Sequence, residues 1–223
     1  RLYKEYKSNR KSMPAELSGQ VEPIFDFLKY MGIQIIQQPD VEADDVIASL
    51  VNKFSSETKT LISSGDKDLA QLVDDNVELI NSLDGKQLNK DSVKKKFGVT
   101  PSQIKDYLTL VGDASDNIPG VPKIGPKTAV SLLDKYHSLE SIIKNKDELK
   151  ENLRKNIENS LSIIELAQQL ITLKSDIDLK TTIGDYVIKK RNEKELSTFV
   201  NLYNLNKLSK DLGLKKIEKT DTK

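Results

Sequence analysis

Apolar residues recur at helical spacing early in the chain. Leu17, Val21, Ile24, Phe25 and Leu28 predict one helix from about Pro14 to Tyr30. Gly32 stops it, and the apolar run Ile33–Ile36 predicts a strand. Val46, Ile47, Leu50 and Val51 share one face of a second helix, Glu42–Phe54. Thr60–Ser63 reads as a short buried strand, Lys67–Val73 as a short helix and Val77–Asn81 as another strand. Strands and helices alternating in this order predict an α/β core built on a parallel sheet.

From Asp91 onward the pattern turns helical. Ser92–Phe97, Pro101–Leu110 and Pro126–Tyr136 read as helices joined by glycine–proline turns. Leu153–Leu173 reads as one long amphipathic helix with Leu153, Ile157, Leu161, Ile164 and Ile171 inward, and Asn192–Leu205 as another helix. The change of character places a domain boundary near Phe97–Pro101: residues 1–97 form the α/β core and residues 98–213 the helical region. Residues 214–223 form a polar tail or linker.

Composition narrows the chemistry. The 37% of hydrophobic residues suits a modest core, and no stretch approaches the roughly 20 apolar residues of a spanning helix. A membrane partner is therefore not expected. The chain has no cysteine, which excludes disulfides and thiolate metal sites and is compatible with a reducing cytoplasm. Its single histidine, His137, excludes a multi-histidine zinc site. Any metal must be held by oxygen, which favours Mg²⁺, Mn²⁺ or Ca²⁺. The net charge of +1 conceals an uneven distribution. Arg1, Lys4, Lys7, Arg10 and Lys11 crowd the start, and Asp40, Glu42, Asp44 and Asp45 crowd a later stretch.

Three acidic motifs follow. Glu42, Asp44 and Asp45 lie where a predicted strand hands over to a helix; acids there also cap a helix and complement its dipole. Asp66 and Asp68 follow directly on the strand that ends at Ser63, the usual position of ligand sites in open parallel sheets. Asp113 and Asp116 follow the helix that ends near Val111. Ordinary turns use the same residue types. Together the motifs supply seven carboxylates, a set suited to hard cations. Two Mg²⁺ ions about 4 Å apart would activate water and stabilise a leaving oxygen in phosphoryl transfer. Asp45, Asp66 and Asp113 are expected to line one pocket.

A glycine hairpin, Ile118–Ala129 (IPGVPKIGPKTA), runs into a helix N-terminus. Its backbone N–H groups suit a phosphate, and Lys123 and Lys127 add charge. This is a helix–hairpin–helix pattern for DNA binding without sequence preference, although a tight turn that binds nothing would also need glycine. Near the start, Tyr6, Lys7, Arg10 and Lys11 could grip phosphates and stack on a base.

The segments LYKEYKSNRKSMPAEL, PDVEADDVIASL, LISSGDKDLAQLV, YLTLVGDASDNIPGVPKIGPKTAVSLL and LITLKSDIDL cover most of the chain. In order and spacing they resemble the 5′ nuclease (flap endonuclease-like) family, most closely the 5′→3′ exonuclease domain of bacterial DNA polymerase I. The resemblance implies a PIN-like (Rossmann-like) core followed by a helix–three-turn–helix region. It implies two-metal hydrolysis of DNA carrying 5′ flaps, nicks or RNA primers, in replication and repair. The matching metal ligands would be Glu42, Asp44, Asp45, Asp66, Asp68, Asp113 and Asp116. Lys7 and Arg10 would take the catalytic positions near the helical arch. DNA would be bound by Tyr6, Lys7, Arg10, Lys123, Gly125, Lys127 and Thr128. In relatives the hairpin can bind K⁺ through backbone carbonyls, here those of Val121 and Ile124. A monomer in the cytoplasm is expected.

Two departures stand out. The family's opening strand, with its metal-binding aspartate, and a second acid before the arch have no counterpart ahead of Arg1. The expectation is a core that starts inside the fold and binds flap DNA but cleaves it poorly. Secondly, His137 stands where a helix-ending residue is expected, and histidine tolerates the left-handed conformation. Rival readings are a non-catalytic DNA-binding fragment, a free-standing short 5′ nuclease, and a PIN-type ribonuclease, which would not need the hairpin.

Overall fold

The computed structural model describes residues 3–214. In chain order its helices are α1 (Ala15–Ser18), α2 (Val21–Tyr30), α3 (Ala43–Phe54), α4 (Lys90–Phe97), α5 (Ile104–Val111) and α6 (Pro126–Tyr136). They continue with α7 (Leu139–Lys144), α8 (Glu151–Glu158), α9 (Leu161–Ile171), α10 (Glu193–Leu202) and α11 (Asn206–Asp211). The strands are β1 (Thr60–Ser63), β2 (Val77–Ile80) and β3 (Gln87–Leu88). The chain folds as two compact units. One takes the chain up to Lys11 with Asp40–Leu179, and the other takes Ser12–Pro39 with the chain from Lys180 on.

In the larger unit β1 pairs parallel with β2, Thr60 opposite Val77, and β3 joins β2 antiparallel. Ile62, Val77 and Leu79 bury their side chains with Val51 of α3 and Leu69, which lies in a 3-10 turn at Asp68–Leu72. The same core runs on without a break through Val93, Val99 and Ile104 to Leu133, Leu139, Ile157 and Ile164. Burial of such side chains, at roughly 1.5–3 kcal/mol each, is the main attraction holding strands and helices together. In the smaller unit α2 packs on α10, where Phe27 and Phe199 rings lie 5.6 Å apart.

The parallel pair β1–β2 and the helices α3, α4 and α6 fall where the hydrophobic pattern predicts them. So does the end of α6, where His137 takes the left-handed conformation with φ 68°. Other expectations need correction. Ile33–Ile36 is not a strand but extended chain without ladder partners among the described residues. It follows Gly32, whose φ of 75° turns the chain; Gly32 O and Tyr30 O accept from Lys189 N and Asn192 N instead. Ile33 and Gln34 are exposed and Ile35 and Ile36 half-buried, and nothing among the described residues supplies the neighbouring backbone that a strand requires. The predicted helix Pro14–Tyr30 breaks at Gly19 and Gln20, which leaves Leu17 and Ile24 about half exposed. The predicted helix Leu153–Leu173 breaks at Asn159 and Ser160. The break shifts the helical register, so Leu161 faces outward while Ile157 and Ile164 stay buried. α7 and β3 carry too short a pattern to be read in the sequence. The polar tail from Lys215 lies outside the described residues.

One loop sets the geometry of the centre. Asp113 and Ile118 pair as an antiparallel bridge, each donating its N–H to the other's carbonyl. Gly112, with φ 81°, and Gly120 let the two arms of this loop touch: a Cβ on Gly112 would lie 2.8 Å from Ile118 O, and one on Gly120 would strike the Val111 carbonyl. Gly125 differs, because a Cβ there would meet nothing within 4 Å and its φ is −94°. Gly120→Ala should therefore cost about 1–3 kcal/mol, as overpacking does. Gly125→Ala should stay within about 0.5 kcal/mol of the parent. Urea unfolding midpoints measure both, and equal losses would contradict the assignment of close approach to Gly120.

Candidate active site

Three backbone features bring acids together in the larger unit. Glu42 is the N-cap of α3, with Asp44 and Asp45 in its first turn. Ser64–Lys67 leaves the C-terminal end of β1, and Asp68 opens the 3-10 turn. The Asp113–Ile118 loop follows α5. Oxygen atoms of Asp68, Asp113 and Asp116 lie within 4.8 Å of one another. Asp113 and Asp116 are buried, at 3% and 7% exposure, which is rare for carboxylates without partners.

Their charges are compensated in different ways. Lys67 Nζ lies 2.6 Å from Asp113 Oδ1, which also accepts the Ser115 N–H and hydroxyl. Burial works against the Asp113 carboxylate, but Lys67 and Ser115 outweigh it and hold its pKa below the usual range. Arg10 pairs with Asp116, and Lys7 pairs with Glu42 and lies 3.7 Å from Asp116. Burial opposes the Lys7 ammonium, yet its bonds to Glu42 and Tyr6 raise its pKa. Asp68 has no such cation. Burial, then the charges of Asp66 and Asp113, push its carboxyl up to about 7, and its Oδ1 is buried without a hydrogen-bond partner. Burial and Asp66 likewise raise Asp44.

The N-terminal segment is docked onto the acidic loop. Lys7 N donates to Asp116 O at 2.9 Å, Asn9 Nδ2 to Ala114 O at 2.8 Å, and Asn117 Nδ2 to Glu5 O at 2.8 Å. Lys7 and Asn117 both adopt positive φ, 57° each, to make this fit.

The seven acids do not share one pocket. Glu42, Asp44, Asp45 and Asp68 line a cavity of 560 Å³ together with Tyr6 and Lys7. Asp66 and Asp113 line a second, of 460 Å³, together with Arg10 and Lys67. Asp116 lines both. The expectation that Asp45, Asp66 and Asp113 line a single pocket is thus corrected. Asp45 is turned to structural use as well: its Oδ1 accepts the Lys174 N–H at 2.9 Å. Asp66 Oδ1 accepts the Asp68 N–H at 2.9 Å and so shapes the turn. Asp68, Asp113 and Asp116 form an oxygen-only set with one unsatisfied buried atom, which fits a hard cation.

The hairpin continues from the acidic loop. Ile118, Val121 and Ile124 are buried and anchor it, while Lys123, Gly125 and Lys127 are exposed and Thr128 is half-buried. Lys123 has φ 64°, and Val121 O accepts the Ile124 N–H at 3.0 Å. Gly125 is the N-cap of α6 and Pro126 begins the helix, so backbone N–H groups of the first turn face solvent. Residues that sequence reasoning missed are Lys67, Ser115, Asn9 and Asn117. Lys67 carried a signal, standing between two acids; the asparagines carried none.

Comparison with known proteins gives a consistent result. Residues 1–98 match the family described as 5′-3′ exonuclease, N-terminal resolvase-like domain, and residues 99–194 match 5′-3′ exonuclease, C-terminal SAM fold. The chain is 39% identical over 213 residues to a 5′-3′ exonuclease of Aquifex aeolicus, covering 95% of this chain and 73% of the relative. It is 38% identical over 222 residues to DNA polymerase I of Caldicellulosiruptor bescii, covering 96% of this chain and 26% of that protein. It is also similar to the flap endonuclease of bacteriophage T5, solved as a pseudo-enzyme-product complex with DNA and metal ions. The TM-score is 0.65 at 20% identity, over 94% of this chain and 76% of that one. At that identity the likeness speaks for the fold: a resolvase-like, PIN-like α/β core followed by a helical SAM-like region. By the family matches and by its identity to curated relatives over most of its length, the chain belongs to the 5′-3′ exonuclease family.

Proposed function

We propose that this nuclease hydrolyses DNA at 5′ flaps, nicks and RNA-primed ends with divalent metal, Mg²⁺ or Mn²⁺, and takes part in primer removal and repair. The observation that carries the reading is the Asp68–Asp113–Asp116 set standing beside Lys7 and Arg10. Its relatives support the reading: one structural neighbour is named as a flap endonuclease with DNA and metal ions. On this reading Asp68, Asp113 and Asp116 would hold one ion, and Glu42, Asp44, Asp45 and Asp66 would help hold it and a second, directly or through water. Bound divalent ions supply Lewis acidity and an activated water. Lys7 and Arg10 turn from Glu42 and Asp116 to the scissile phosphate, and Tyr6 stacks on a base near it. Gly125, Lys127 and Thr128 offer N–H groups to a duplex phosphate, Lys123 and Lys127 add charge, and the Val121 and Ile124 carbonyls can hold K⁺. Residues 1–97 and the Asp113–Ile118 loop thus supply the chemistry together, and the rest of 98–213 the duplex grip, within a monomeric cytoplasmic enzyme. No helix among the described residues is long and apolar enough to cross a membrane.

A 5′-flap DNA should be bound, cut slowly in Mg²⁺ and spared in EDTA, while single-stranded RNA of equal length is left intact. Cutting of the RNA alone would sink the DNA reading.

Asp113→Ala and Asp66→Ala should each weaken Mn²⁺ binding in calorimetry. Affinity should also depend on pH. Asp68 titrates at about 7, above its ordinary 3.8, so below pH 7 it keeps a proton that the cation must displace. Apparent Mn²⁺ affinity should climb from about pH 6 to about pH 8, with proton release on binding. The linkage to stability has the opposite sense. Ionising Asp68 costs the metal-free fold, whose stability falls as pH rises from the ordinary 3.8 towards 7. An Mn²⁺ affinity flat across this range would contradict the role given to Asp68.

Binding should be electrostatic and indifferent to sequence. Lys127→Ala should weaken binding on every duplex alike and reduce the logarithmic salt slope by about 0.9, the share of one phosphate contact. A variant that loses affinity on one base sequence only would point to base readout instead.

A further inference from the structure

Lys67 is the cation closest to the most buried carboxylate of the cluster, and nothing in the proposed reaction uses it. Its Nζ lies 2.6 Å from Asp113 Oδ1, and that oxygen already accepts the Ser115 N–H and hydroxyl. The two partners differ in setting. Asp113 has 3% of its side chain exposed, whereas Lys67 has 36%, and both line a 460 Å³ cavity. Lys67 also sits between Asp66 and Asp68 in sequence, on the short turn after β1. Its long stem can swing outward without moving that turn, since a lysine is a point charge on four rotatable carbons.

We propose that Lys67 is a resident counter-cation: it pairs with Asp113 and keeps it in place in the metal-free protein, and it competes with the divalent ion for that carboxylate. The inference deepens the metal-binding reading above and rests on it. Three carboxylates this close cannot all stay ionised without positive charge. Lys7 and Arg10 serve Glu42 and Asp116, so Asp113 depends on Lys67. A dication arriving beside Asp113 repels the ammonium, which then withdraws to solvent or takes a substrate phosphate. The price is a lower metal affinity than the carboxylates alone would give. The gain is a site that keeps its geometry when empty.

The experiment is Mn²⁺ titration calorimetry on the full chain at low salt, with thermal melts in EDTA. Lys67→Met should bind Mn²⁺ about tenfold more tightly, within the usual range of coupling between two ligands of one site, and should melt lower than the parent in EDTA. Lys67→Arg keeps the charge and should bind Mn²⁺ within about twofold of the parent. Should Lys67→Met fail to fold without metal, Lys67→Gln, which keeps a polar end without the charge, gives the same reading and should also bind more tightly. Equal or weaker Mn²⁺ binding by the uncharged variants overturns the proposal, and so does tighter binding by Lys67→Arg. If the parent itself binds no Mn²⁺, the metal reading fails, which is a different outcome from competition being absent.

Discussion

Carboxylates gathered within a few ångströms of one another repel, and a fold that gathers them has to supply positive charge or protons to stay folded. In this chain Asp68, Asp113 and Asp116 are held within 4.8 Å, and each is compensated differently. Asp116 leans on Arg10 and Lys7 and Asp113 on Lys67 and Ser115, while Asp68, without an ion-pair partner, has its carboxyl pushed up to about 7 by burial. All of these are reversible at modest cost. An arrangement of apolar contacts would give a more stable protein but could not be exchanged for a cation or a phosphate.

The backbone makes this tolerable by fixing the loops independently of the charges. Gly112 and Gly120 allow the arms of the acidic loop to touch, and the Asp113–Ile118 bridge locks them. Ile118, Val121 and Ile124 then root the loop and the following hairpin in the core. The N-terminal segment is held differently: of its described residues only Tyr6 packs against the core. Its fastening to the loop is polar, through Lys7 N, Asn9 and Asn117. Polar fastening of this kind, with net values of about 0.5–1.5 kcal/mol per bond, lets a segment detach more easily than the apolar roots of the hairpin. The chain thus pairs a rigid acid platform with a more easily released cationic strap.

These differences also explain what was legible in the sequence. β1, β2, α3 and α6 combine a strong period with a clear stop, so their positions follow from pattern alone. The acidic motifs announce themselves by spacing, and the Gly-Ile-Gly-Pro-Lys run announces the hairpin. The break at Asn159–Ser160 was hidden, because two polar residues within a long apolar stripe look like its solvent face. Ile33–Ile36 misled because β-branched residues suit a strand without saying whether a neighbouring strand exists, and here Ile33 is exposed and Ile35 and Ile36 are only half-buried. The roles of Asn9 and Asn117 could not be read, since the contacts span 105 and 112 residues. Asp45 illustrates the same limit within one motif. Its spacing from Glu42 suggests a shared ligand role, but a single bond to Lys174 N turns it towards holding α3 in place.

Shared partners couple the two ligands of the proposed reaction. A phosphate that engages Lys7 and Arg10 draws them from Glu42 and Asp116, and those carboxylates are then short of positive charge. A divalent ion supplies it. Conversely, an ion that takes Asp116 frees Arg10 for a phosphate. Each ligand removes a pairing that the other would otherwise have to break, so each favours the other by the same factor, as linkage requires. Lys67 enters the same balance, because an ion that displaced it from Asp113 would free one more ammonium for a phosphate. Each of cation and phosphate would therefore ease the binding of the other.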